Sequence, residues 1–410
     1  MLLNYLKNNI YHLGLAFLSA YIFRFPSREI FVLGVTGTKG KSTVLELIGF
    51  ILEKAGKKVA ISSSIRNGES SMTMPGRFFL QRFLRRAVNK NCDYALVEVT
   101  SQGVLQNRHR FIKWGAAIFT NLSPEHIESH GSFEKYREAK LDFFQYVAHR
   151  KTNGLAMSQK LFLINKDDSN AKHFIEAAGG GGEIILYSKS EISSKLIGEF
   201  NKYNIGAAVA FVRSQGIDDE IIRKAVAEFS GAPGRMEFVK REPFSVVIDY
   251  AHTPDSLCEV YKTLRSEVLK FKVSSSNPKL ICVLGAAGGG RDKWKRPEMG
   301  KIAAEYCDEI ILTDEDPYDE QPEKIIEEIF SSCSQIRNGS AQLTTSPKSE
   351  ILKIIDRKKA IKKAISLAKP GDTVVITGKG SEKWIHLSNG KKIPWSDKNE
   401  VLSHFLTRLI

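Results

Sequence analysis

The sequence predicts an α/β protein of two domains, each built on a mostly parallel sheet. Short apolar, β-branched runs alternate along the chain with longer stretches of helical periodicity, which is typical of parallel strands joined by crossover helices. The chain also has 410 residues, which is too long for one ordinary hydrophobic core. We therefore expect two α/β domains in sequence.

Nine apolar runs mark the predicted strands. Five lie in the first half, at 30–37, 58–64, 94–100, 116–122 and 161–165, and four lie in the second half, at 245–252, 279–286, 309–316 and 372–380. Between the halves, the stretch FSGAPGRMEFV contains the glycines and proline that suit a hinge. We expect an N-terminal apolar helical segment (1–29), a first domain (30–233) and a Rossmann-like second domain (234–410).

The balance of charge restricts the kinds of partner. The chain carries 60 Lys and Arg residues against 46 Asp and Glu, a formal net charge of +14. This excess favours anionic partners, or it reflects only a generally basic composition with no functional meaning. The basic residues are spread without a dense cluster or interleaved aromatics, so we do not expect nucleic-acid binding.

The cysteines form no recognisable motif. The five of them are far apart and include no CxxC pair, which disfavours both a zinc site and a disulfide framework. Most fall within apolar runs, so we expect buried, reduced packing residues. They are Cys92, Cys258, Cys282, Cys307 and Cys333.

The N-terminal stretch IYHLGLAFLSAYIF (10–23) is apolar but too short to predict a membrane span. It has no convincing small-residue cleavage site after it, so a signal peptide is not expected. A nucleotide-binding motif follows directly, which favours a cytoplasmic protein. Two interpretations stay open: a helix packed on the domain, which we favour, and a helix that lies on a membrane surface or on a partner. The sequence does not indicate an oligomeric state.

The stretch GVTGTKGKST (34–43) resembles a phosphate-binding loop, because it follows a predicted strand and opens a predicted helix. The strict pattern has a glycine where this chain has Val35, so we expect the later glycines to carry the turn. Backbone N–H groups at the helix start would cradle phosphate, and Lys41 would reach the terminal phosphates. Ser42 or Thr43 would bind Mg²⁺. The motif thus predicts a P-loop NTPase-type domain that binds ATP with Mg²⁺.

Four other polar residues are candidate site residues on the sequence alone. Glu98 ends a strand at the sheet edge where ligands bind, so it either completes a magnesium site or is an ordinary charge there. His126 and His130 lie four residues apart, but no cysteine or third histidine is near, so zinc is the weaker interpretation. Lys140 lies in a helical pattern, which on its own indicates a surface lysine.

Nine short blocks carry a family resemblance. They are GTKGKST, EVTSQG, TNLSPEHIESHG, YREAK, FNKYN, GRMEF, DYAHTPDSL, GGGRDKWKRP and GKGSE. Their order resembles that of the Mur ligases, most of all the branch that adds the third amino acid to the peptidoglycan precursor. The resemblance implies an ATP-dependent ligase of cell-wall synthesis, whose small-molecule partners are a peptide acceptor and an amino acid. An acyl phosphate forms on the acceptor, and an amine attacks it to give an amide.

The resemblance also implies roles for individual residues. Lys140 matches a lysine that is carbamylated by carbon dioxide, a change that would turn a cation into a magnesium-binding anion. The implied catalytic residues are Lys41, Glu98, His126 and Lys140, and the implied metal ligands are Ser42, Glu98, His126 and Lys140. The implied nucleotide contacts are Gly37, Thr38, Lys39, Gly40, Lys41, Ser42, Thr43, Asn121, Asn201, Asn204, Arg235 and Asp249. The implied amino-acid contacts are Arg291, Asp316, Tyr318, Gly378 and Glu382.

The acceptor side departs from the family pattern. Roughly 30 residues precede the loop, far fewer than a domain needs, so we expect no separate uridine-binding domain. The stretch MTMPGRFFLQRFLRR (72–86) replaces a Thr-rich substrate segment. Its arginines either meet an acidic or phosphorylated acceptor or form the solvated face of a helix. They are Arg77, Arg82, Arg85 and Arg86.

The amino-acid side departs as well. This chain has Asp316-Pro317-Tyr318 where relatives that use diaminopimelate have Asn-Pro-Arg. The change removes a clamp for a second carboxylate and adds negative charge beside Glu382. It predicts a preference for a lysine-like amino acid over diaminopimelate.

Three other functions stay open. A folylpolyglutamate-synthetase-like ligase would also lack a uridine-binding domain, although the DYAHTPDSL and RDKWKRP blocks favour the Mur side. A non-catalytic nucleotide-binding scaffold would not need an intact set of catalytic and substrate residues, which here comprises Lys41, Glu98, His126, Lys140 and Arg291. A P-loop kinase or switch GTPase would leave the second domain without a role.

Overall fold

The structure, a computed structural model, describes residues 11–67, 73–125, 127–149, 159–270, 277–339 and 351–406. The chain divides into two compact units, Met1–Ser230 and Gly231–Ile410. Each contains a largely parallel sheet with helices between its strands, which confirms the predicted fold class. In the described ranges, no helix is long and apolar enough to cross a membrane.

Strands and helices alternate in the first unit, as crossover connections require. Its elements are α1 (His12–Ile22), β1 (Phe31–Thr36), α2 (Lys41–Lys54), β2 (Val59–Ser62), α3 (Arg77–Asn89), β3 (Tyr94–Glu98), α4 (Ser101–Leu105), β4 (Ala116–Phe119), α5 (Ile127–His130), α6 (Phe133–His149), β5 (Leu161–Asn165), α7 (Ala171–Ala178), β6 (Glu183–Tyr187), α8 (Glu199–Ser214) and α9 (Asp219–Glu228). A short 3-10 turn, Pro26–Arg28, precedes β1. The strand order in the described sheet is β2-β3-β1-β4-β5-β6, and every neighbouring pair is parallel.

Strand β1 lies inside this sheet and is buried on both faces. Val32 belongs to one core cluster, whereas Leu33 and Val35 belong to the other, since alternate side chains of a strand face opposite sides. All three are fully buried. Val35, which stands where a strict phosphate loop has glycine, is therefore a core residue of the strand, and the loop begins after it.

The parallel register brings the ends of three strands together. Val35 of β1 pairs with Glu98 of β3 on one side and with Ile118 of β4 on the other. Because parallel strands end at the same edge, the loops that follow β1, β3 and β4 are neighbours. The phosphate loop therefore lies between Glu98 and the residues that follow β4.

The second unit has a mixed sheet. Its elements are β7 (Glu237–Lys240), β8 (Ser245–Ile248), α10 (Pro254–Lys270), β9 (Leu280–Leu284), α11 (Lys295–Tyr306), β10 (Glu309–Leu312), α12 (Pro322–Gly339), β11 (Ile351–Lys353), α13 (Arg357–Leu367), β12 (Thr373–Ile376), β13 (Trp384–His386), a 3-10 turn (Ser388–Gly390), β14 (Lys392–Pro394) and α14 (Asp397–Leu406). The order in the described sheet is β11-β10-β9-β12-β8-β7, with β7 antiparallel to β8 and the other pairs parallel. Strands β13 and β14 form a separate antiparallel pair.

All nine predicted strands are present, but the sequence analysis missed others. The missed strands are β6, β7, β11, β13 and β14. Strand β6 directly follows a glycine-rich loop and is largely exposed, with Leu186 50% exposed at the edge of its sheet. Its sequence, EIILY, nevertheless contains an apolar run like those of the predicted strands, so its edge position and not its pattern distinguishes it.

The expectation of reduced cysteines is wrong for one pair. Cys282 in β9 is disulfide-bonded to Cys307 at the end of α11, and both are buried. Although 25 residues separate them, β9 and β10 are neighbouring strands, so the chain returns to the same place in the sheet. Spacing rules that search for CxxC cannot detect such a contact. Among the described residues, Cys92, Cys258 and Cys333 are not disulfide-bonded.

Candidate active site

Two glycines shape the loop between β1 and α2. Gly40 directly precedes α2 and has a φ of +82°, where side chains with a Cβ are strained. A Cβ on Gly40 would also collide with Oδ1 of Asn204, and a Cβ on Gly37 would collide with Oγ1 of Thr120. Glycine is therefore required at both positions, and the loop passes close to α8 and to the end of β4.

The segment after β4 holds the loop backbone. The Thr38 N–H donates to the carbonyl oxygen of Asn121 at 2.8 Å, and the Lys39 N–H donates to Oδ1 of Asn121 at 2.9 Å. The carbonyl oxygen of Lys39 accepts hydrogen bonds from Thr120 Oγ1 at 2.7 Å and from Asn121 Nδ2 at 3.1 Å. Asn121, expected as a nucleotide contact, thus uses both side-chain groups to brace the loop.

Three side chains that were predicted to act on phosphate and metal are brought together. Lys41 folds back over the loop, where its Nζ donates to the Gly37 carbonyl oxygen at 3.1 Å and lies 3.9 Å from Glu98 Oε1. Ser42 Oγ donates to Glu98 Oε2 at 2.9 Å. A hydroxyl and a carboxylate are the hard oxygen donors that suit Mg²⁺, so Ser42 and Glu98 fit the implied metal. Thr43, the alternative hydroxyl, is also buried at the start of α2.

Lys140 approaches the same loop from α6. Its side chain is 2% exposed, Nζ donates to the Gly37 carbonyl oxygen at 2.8 Å, and it lies 4.7 Å from the ring centre of Tyr136. Burial lowers the pKa of Lys140 well below its usual value, and repulsion from Lys41 acts in the same direction. The helical pattern alone indicated a surface lysine, which is wrong because Gly37, its hydrogen-bond partner, lies 103 residues away in the sequence.

Of the two histidines of the weaker zinc interpretation, only His130 lies within the described residues. His126, also matched to the metal site, lies outside the described residues. His130 Nε2 is 3.1 Å from Ser101 Oγ, and burial together with the Lys140 charge lowers the pKa of His130. Within the described ranges, no three His, Cys, Asp or Glu side chains cluster as a metal site would require.

Two asparagines of α8 lie beside the phosphate loop. Asn204 is the residue whose Oδ1 a Cβ on Gly40 would meet, and its Nδ2 donates to Asn201 Oδ1 at 2.9 Å. Asn201 Nδ2 in turn donates to the carbonyl oxygen of Ile197 at 2.7 Å. Both asparagines are buried, so this chain of hydrogen bonds fixes the start of α8 next to the start of α2.

In the second unit, Arg235 and Asp249 lie on neighbouring backbone segments. The Asp249 carboxylate accepts hydrogen bonds from the N–H groups of Met236 and Ala251, both at 2.7 Å. Burial raises the pKa of Asp249, although these N–H groups oppose the shift. The Arg235 guanidinium lies 4.2 Å from the ring centre of Tyr250. The antiparallel pairing of β7 with β8 brings the two predicted nucleotide contacts together.

Arg291 and Tyr318, two predicted amino-acid contacts, touch each other. Arg291 Nη2 donates to the Tyr318 hydroxyl at 3.1 Å. The Tyr318 ring stacks on His386 with centres 5.2 Å apart and an interplanar angle of 10°. Tyr318 itself has a φ of +50°, unusual for a residue with a Cβ. A cation and two aromatic rings thus form one group.

The negative charge expected beside Glu382 contacts a cation of this chain, Lys379. Lys379 Nζ donates to both Asp316 oxygens, at 2.8 and 2.9 Å, and to Glu382 Oε2 at 2.6 Å. Lys379 is fully buried and Asp316 is 5% exposed. One lysine therefore faces two carboxylates, so the negative charge predicted beside Glu382 is compensated within the chain only in part. Gly378, which precedes the lysine, has a φ of +104° and lies against the Glu315 carboxylate.

Sequence reasoning missed three residues that contact predicted ones, one in the first unit and two in the second. Tyr136 precedes Lys140 by four residues, a helical spacing that would have pointed to the contact. Lys379 stands inside the GKGSE block between two residues that were selected, so its position was a usable signal. His386 gave no signal, because its stacking on Tyr318 depends on a strand that is paired only in the folded unit.

Two family models match the chain. The model described as Mur ligase middle domain matches residues 35–191, and the model described as Mur ligase, glutamate ligase domain matches residues 234–380. The first range includes the phosphate loop with Glu98 and Lys140, and the second includes Arg235 and Lys379.

Individual proteins resemble the chain over most of its length. The UDP-N-acetylmuramoyl-L-alanyl-D-glutamate--2,6-diaminopimelate ligase of Syntrophomonas wolfei is 36% identical over 404 residues, which cover 90% of this chain and 77% of that protein. A solved structure of a ligase with the same name is 28% identical, with a TM-score of 0.58, and the match covers 93% of this chain and 79% of that one. Folylpolyglutamate synthase of Mycobacterium tuberculosis, solved with ADP and AMPPCP, shares the fold at 15% identity with a TM-score of 0.67, covering 90% of this chain and 93% of that one.

Proposed function

This chain belongs to the Mur ligase family, and from that premise we propose that it is an ATP-dependent ligase that joins an amino acid to a carboxylate of a peptidoglycan-precursor-like peptide. The observation that carries the proposal is the convergence of Lys41, Lys140 and the Ser42–Glu98 pair on one phosphate loop. We also propose a cytoplasmic location, because the reaction consumes ATP.

The reaction needs a nucleotide because a carboxylate is a poor electrophile. The γ-phosphoryl group of ATP moves to an oxygen of the acceptor carboxylate and leaves ADP. The nitrogen of the amino acid then attacks the acyl carbon, the C–O bond to phosphate breaks, and an amide, phosphate and a proton result. Catalysis of this kind depends on positioning and on neutralising phosphate charge.

Residues of the first unit would hold the nucleotide. The N–H groups at the start of α2 are positioned for phosphate, with Lys41 folded over the same loop. Asn201 and Asn204 would lie near the base, and Arg235 and Asp249 of the second unit would contact phosphate and ribose. Mg²⁺, when bound, supplies positive charge against the phosphate oxygens, and Ser42 and Glu98 would hold it, with His126 as a further ligand.

Lys140 is suited to carbamylation. A buried amine with a lowered pKa keeps a larger neutral fraction, and the neutral nitrogen is the form that attacks carbon dioxide. The new N–C bond and the loss of a proton leave an anion, which would add a carboxylate donor beside Gly37 and Glu98. The 2.8 Å contact between Nζ and the Gly37 carbonyl oxygen supports this assignment, because it sets the amine at the loop itself.

Arg291 would hold the α-carboxylate of the incoming amino acid. The side chain of that amino acid would then meet Tyr318, which carries no positive charge for a second carboxylate. Asp316 and Glu382 are paired with Lys379 and, together with Gly378, would line this part of the site. The preference for a lysine-like amino acid over diaminopimelate stays a prediction, which rests on the loss of the arginine and on a pair of carboxylates that one lysine compensates only in part.

The test is product analysis by mass spectrometry. Purified protein would be incubated with ATP, Mg²⁺ and muropeptide acceptors, with and without a uridine nucleotide, and with lysine or diaminopimelate. A second arm would offer pteroate and glutamate, to test the folylpolyglutamate-synthetase-like alternative. We expect phosphate release only when acceptor and amino acid are both present, with a new amide in the muropeptide arm. Phosphate release without an amine would contradict the proposal, and so would a product in the pteroate arm alone.

A further inference from the structure

The first helix exposes its large side chains and buries its small ones. Ala16, Ser19 and Ala20 are buried against the unit. The exposed large apolar residues of α1 are Leu13 at 38%, Phe17 at 49%, Leu18 at 45%, Tyr21 at 65% and Ile22 at 54%, and Tyr11, directly before the helix, is 58% exposed. A helix that only packs on its domain buries its large apolar residues, so the packed-helix interpretation accounts for one side of α1.

The exposed apolar residues continue onto α3, which packs against α1. Phe78 and Phe79 of α3 are 40% and 37% exposed. On α1, the Phe17 ring lies 6.3 Å from Tyr21 and 5.3 Å from Phe111. We call the exposed apolar residues of α1 and α3 the apolar face. Several large apolar side chains exposed on two helices that pack together indicate an interaction site more than chance exposure.

Cationic side chains border the apolar face. The stretches 11–29 and 77–90 contain seven Lys and Arg residues and one acidic residue, Glu29, which is paired with Arg85 at 2.7 Å. The Arg28 guanidinium lies 4.5 Å from the ring centre of Phe25, and the Arg82 guanidinium lies 5.8 Å from that of Phe79. One of these charges therefore stands beside the half-buried ring of Phe25 and the other beside the exposed ring of Phe79.

We propose that the apolar face and its bordering arginines bind the surface of an anionic lipid bilayer, with α1 lying in the interface. The 11 residues of α1 that the structure describes extend for about 16 Å, far less than the roughly 30 Å of a bilayer core, a length that suits a helix lying in the interface. Tyrosine and phenylalanine side chains partition into the interface, and arginines are drawn to anionic headgroups.

A second copy of the chain fits this surface less well. A symmetric pair places the same patch of each copy against the other. The bordering arginines of the two copies would then face one another, and like charges across an interface oppose association. An anionic bilayer satisfies the apolar residues and the arginines together. The proposal rests on these exposed residues and is independent of the ligase reaction.

The test is co-sedimentation of the full chain with vesicles of phosphatidylcholine alone or mixed with an equal amount of phosphatidylglycerol. We expect binding to the mixed vesicles and little to the neutral ones. The Phe17→Ser/Tyr21→Ser variant should bind about tenfold more weakly, because it removes apolar area from the interface. The Arg82→Gln/Arg86→Gln variant should lose at least about tenfold in affinity for the anionic vesicles only.

A matched control and a second measurement keep the test decisive. Ile393→Ser/Leu402→Ser removes two apolar residues that are 44% and 40% exposed in the second unit, and it should bind as the unchanged protein does. Thermal unfolding of each variant would verify that it is folded. Equal binding to both vesicle types, or no binding, would overturn the proposal. A dimer seen by light scattering that Phe17→Ser/Tyr21→Ser dissociates, without vesicle binding, would instead assign the face to a second copy.

Discussion

Lys140 Nζ donates a hydrogen bond to the carbonyl oxygen of Gly37 at 2.8 Å, so α6 reaches the backbone of the phosphate loop. The lysine lies 103 residues along the chain from this glycine and is nevertheless part of the loop's immediate surroundings. This contact makes Lys140 the most informative residue to change.

Two replacements of Lys140 test whether its role depends on its positive charge or on carbamylation of its amine. We expect Lys140→Ala to lower the rate of amide formation about a hundredfold or more, the scale of losing one preorganised electrostatic group. Lys140→Arg should be equally inactive, because a guanidinium keeps the positive charge but cannot form the carbamate. Lys135→Ala, which removes an exposed lysine of the same helix, should be as active as the unchanged protein. Product formation is measured by mass spectrometry, and an active Lys140→Arg variant would contradict carbamylation.

The glycines of the chain offer a matched pair for the phosphate loop. Gly40 and Gly56 have similar φ angles, +82° and +77°, but only a Cβ on Gly40 would meet another residue, Asn204. We expect Gly40→Ala to weaken ATP binding about tenfold or more, because the loop must shift as well as adopt a strained conformation. Gly56→Ala should show the strain alone, as a lower melting temperature with unchanged ATP affinity. Titration calorimetry measures the ATP affinity of each variant, and thermal unfolding measures its melting temperature. Equal ATP affinities would show that the collision is harmless.

Arg291 should act on the amino acid and not on the nucleotide. We expect Arg291→Ala to lower kcat/KM for the amino acid about 10- to 100-fold, which corresponds to losing a hydrogen-bonded charge partner for a carboxylate. The affinity for ATP should be unchanged. Lys301→Ala, at an exposed cation of α11, serves as the control. Steady-state kinetics with the amino acid varied provides the measurement, and a change confined to ATP affinity would argue against this role.

Two ion pairs between α13 and α14 should differ in their contribution to stability. Arg357 and Asp397 are almost fully buried and form two hydrogen bonds of 2.8 Å, whereas the neighbouring Lys358–Glu400 pair is exposed on the lysine side. We expect Arg357→Ala to lower the free energy of unfolding by about 3 to 5 kcal/mol, because Asp397 is left as an unpaired buried charge. Lys358→Ala should cost at most about 1 kcal/mol. Denaturant unfolding compares them, and equal losses would contradict the assignment.

Asp314 should make stability depend on pH in a defined direction. Burial raises the pKa of Asp314 from 3.8 to about 6. Between these values the folded protein binds more protons than the unfolded chain, so this group's contribution to stability falls as pH rises from about 4 to about 6. Asp314→Asn should therefore be relatively more stable at pH 6 than at pH 4, compared with the unchanged protein, by on the order of 2 kcal/mol. Chemical unfolding at both pH values tests this, with Glu259→Gln at an exposed position of α10 as the control. A pH-independent difference would contradict the shift.

The sequence predicts the central strands well because burial on both faces leaves a strong local signal. Val32, Leu33 and Val35 are all apolar because each faces one of two cores. The edge strand β6 has an apolar run of its own at 184–187, although Leu186 and Glu183 face solvent. An apolar run therefore predicts a strand but does not show whether that strand lies in the middle or at the margin of its sheet.

The site was predictable where a motif encodes local geometry and not where distant segments pair. The phosphate loop follows from its glycines and from the strand and helix beside it. The burial of Lys140 and the pairing of Lys379 with Asp316 depend on contacts across 103 and 63 residues, which local pattern rules do not include. The Cys282–Cys307 bond was missed for the same reason.

The order of the first sheet also bears on how the molecule can be labelled. The loop-bearing strand β1 lies between β3 and β4, while β6 forms one margin, two strands beyond β4. A fluorophore attached through a cysteine at position 186 would stand on that margin, away from the residues that surround the phosphate loop. Nucleotide binding could then be followed optically without a chemical group competing for the same space.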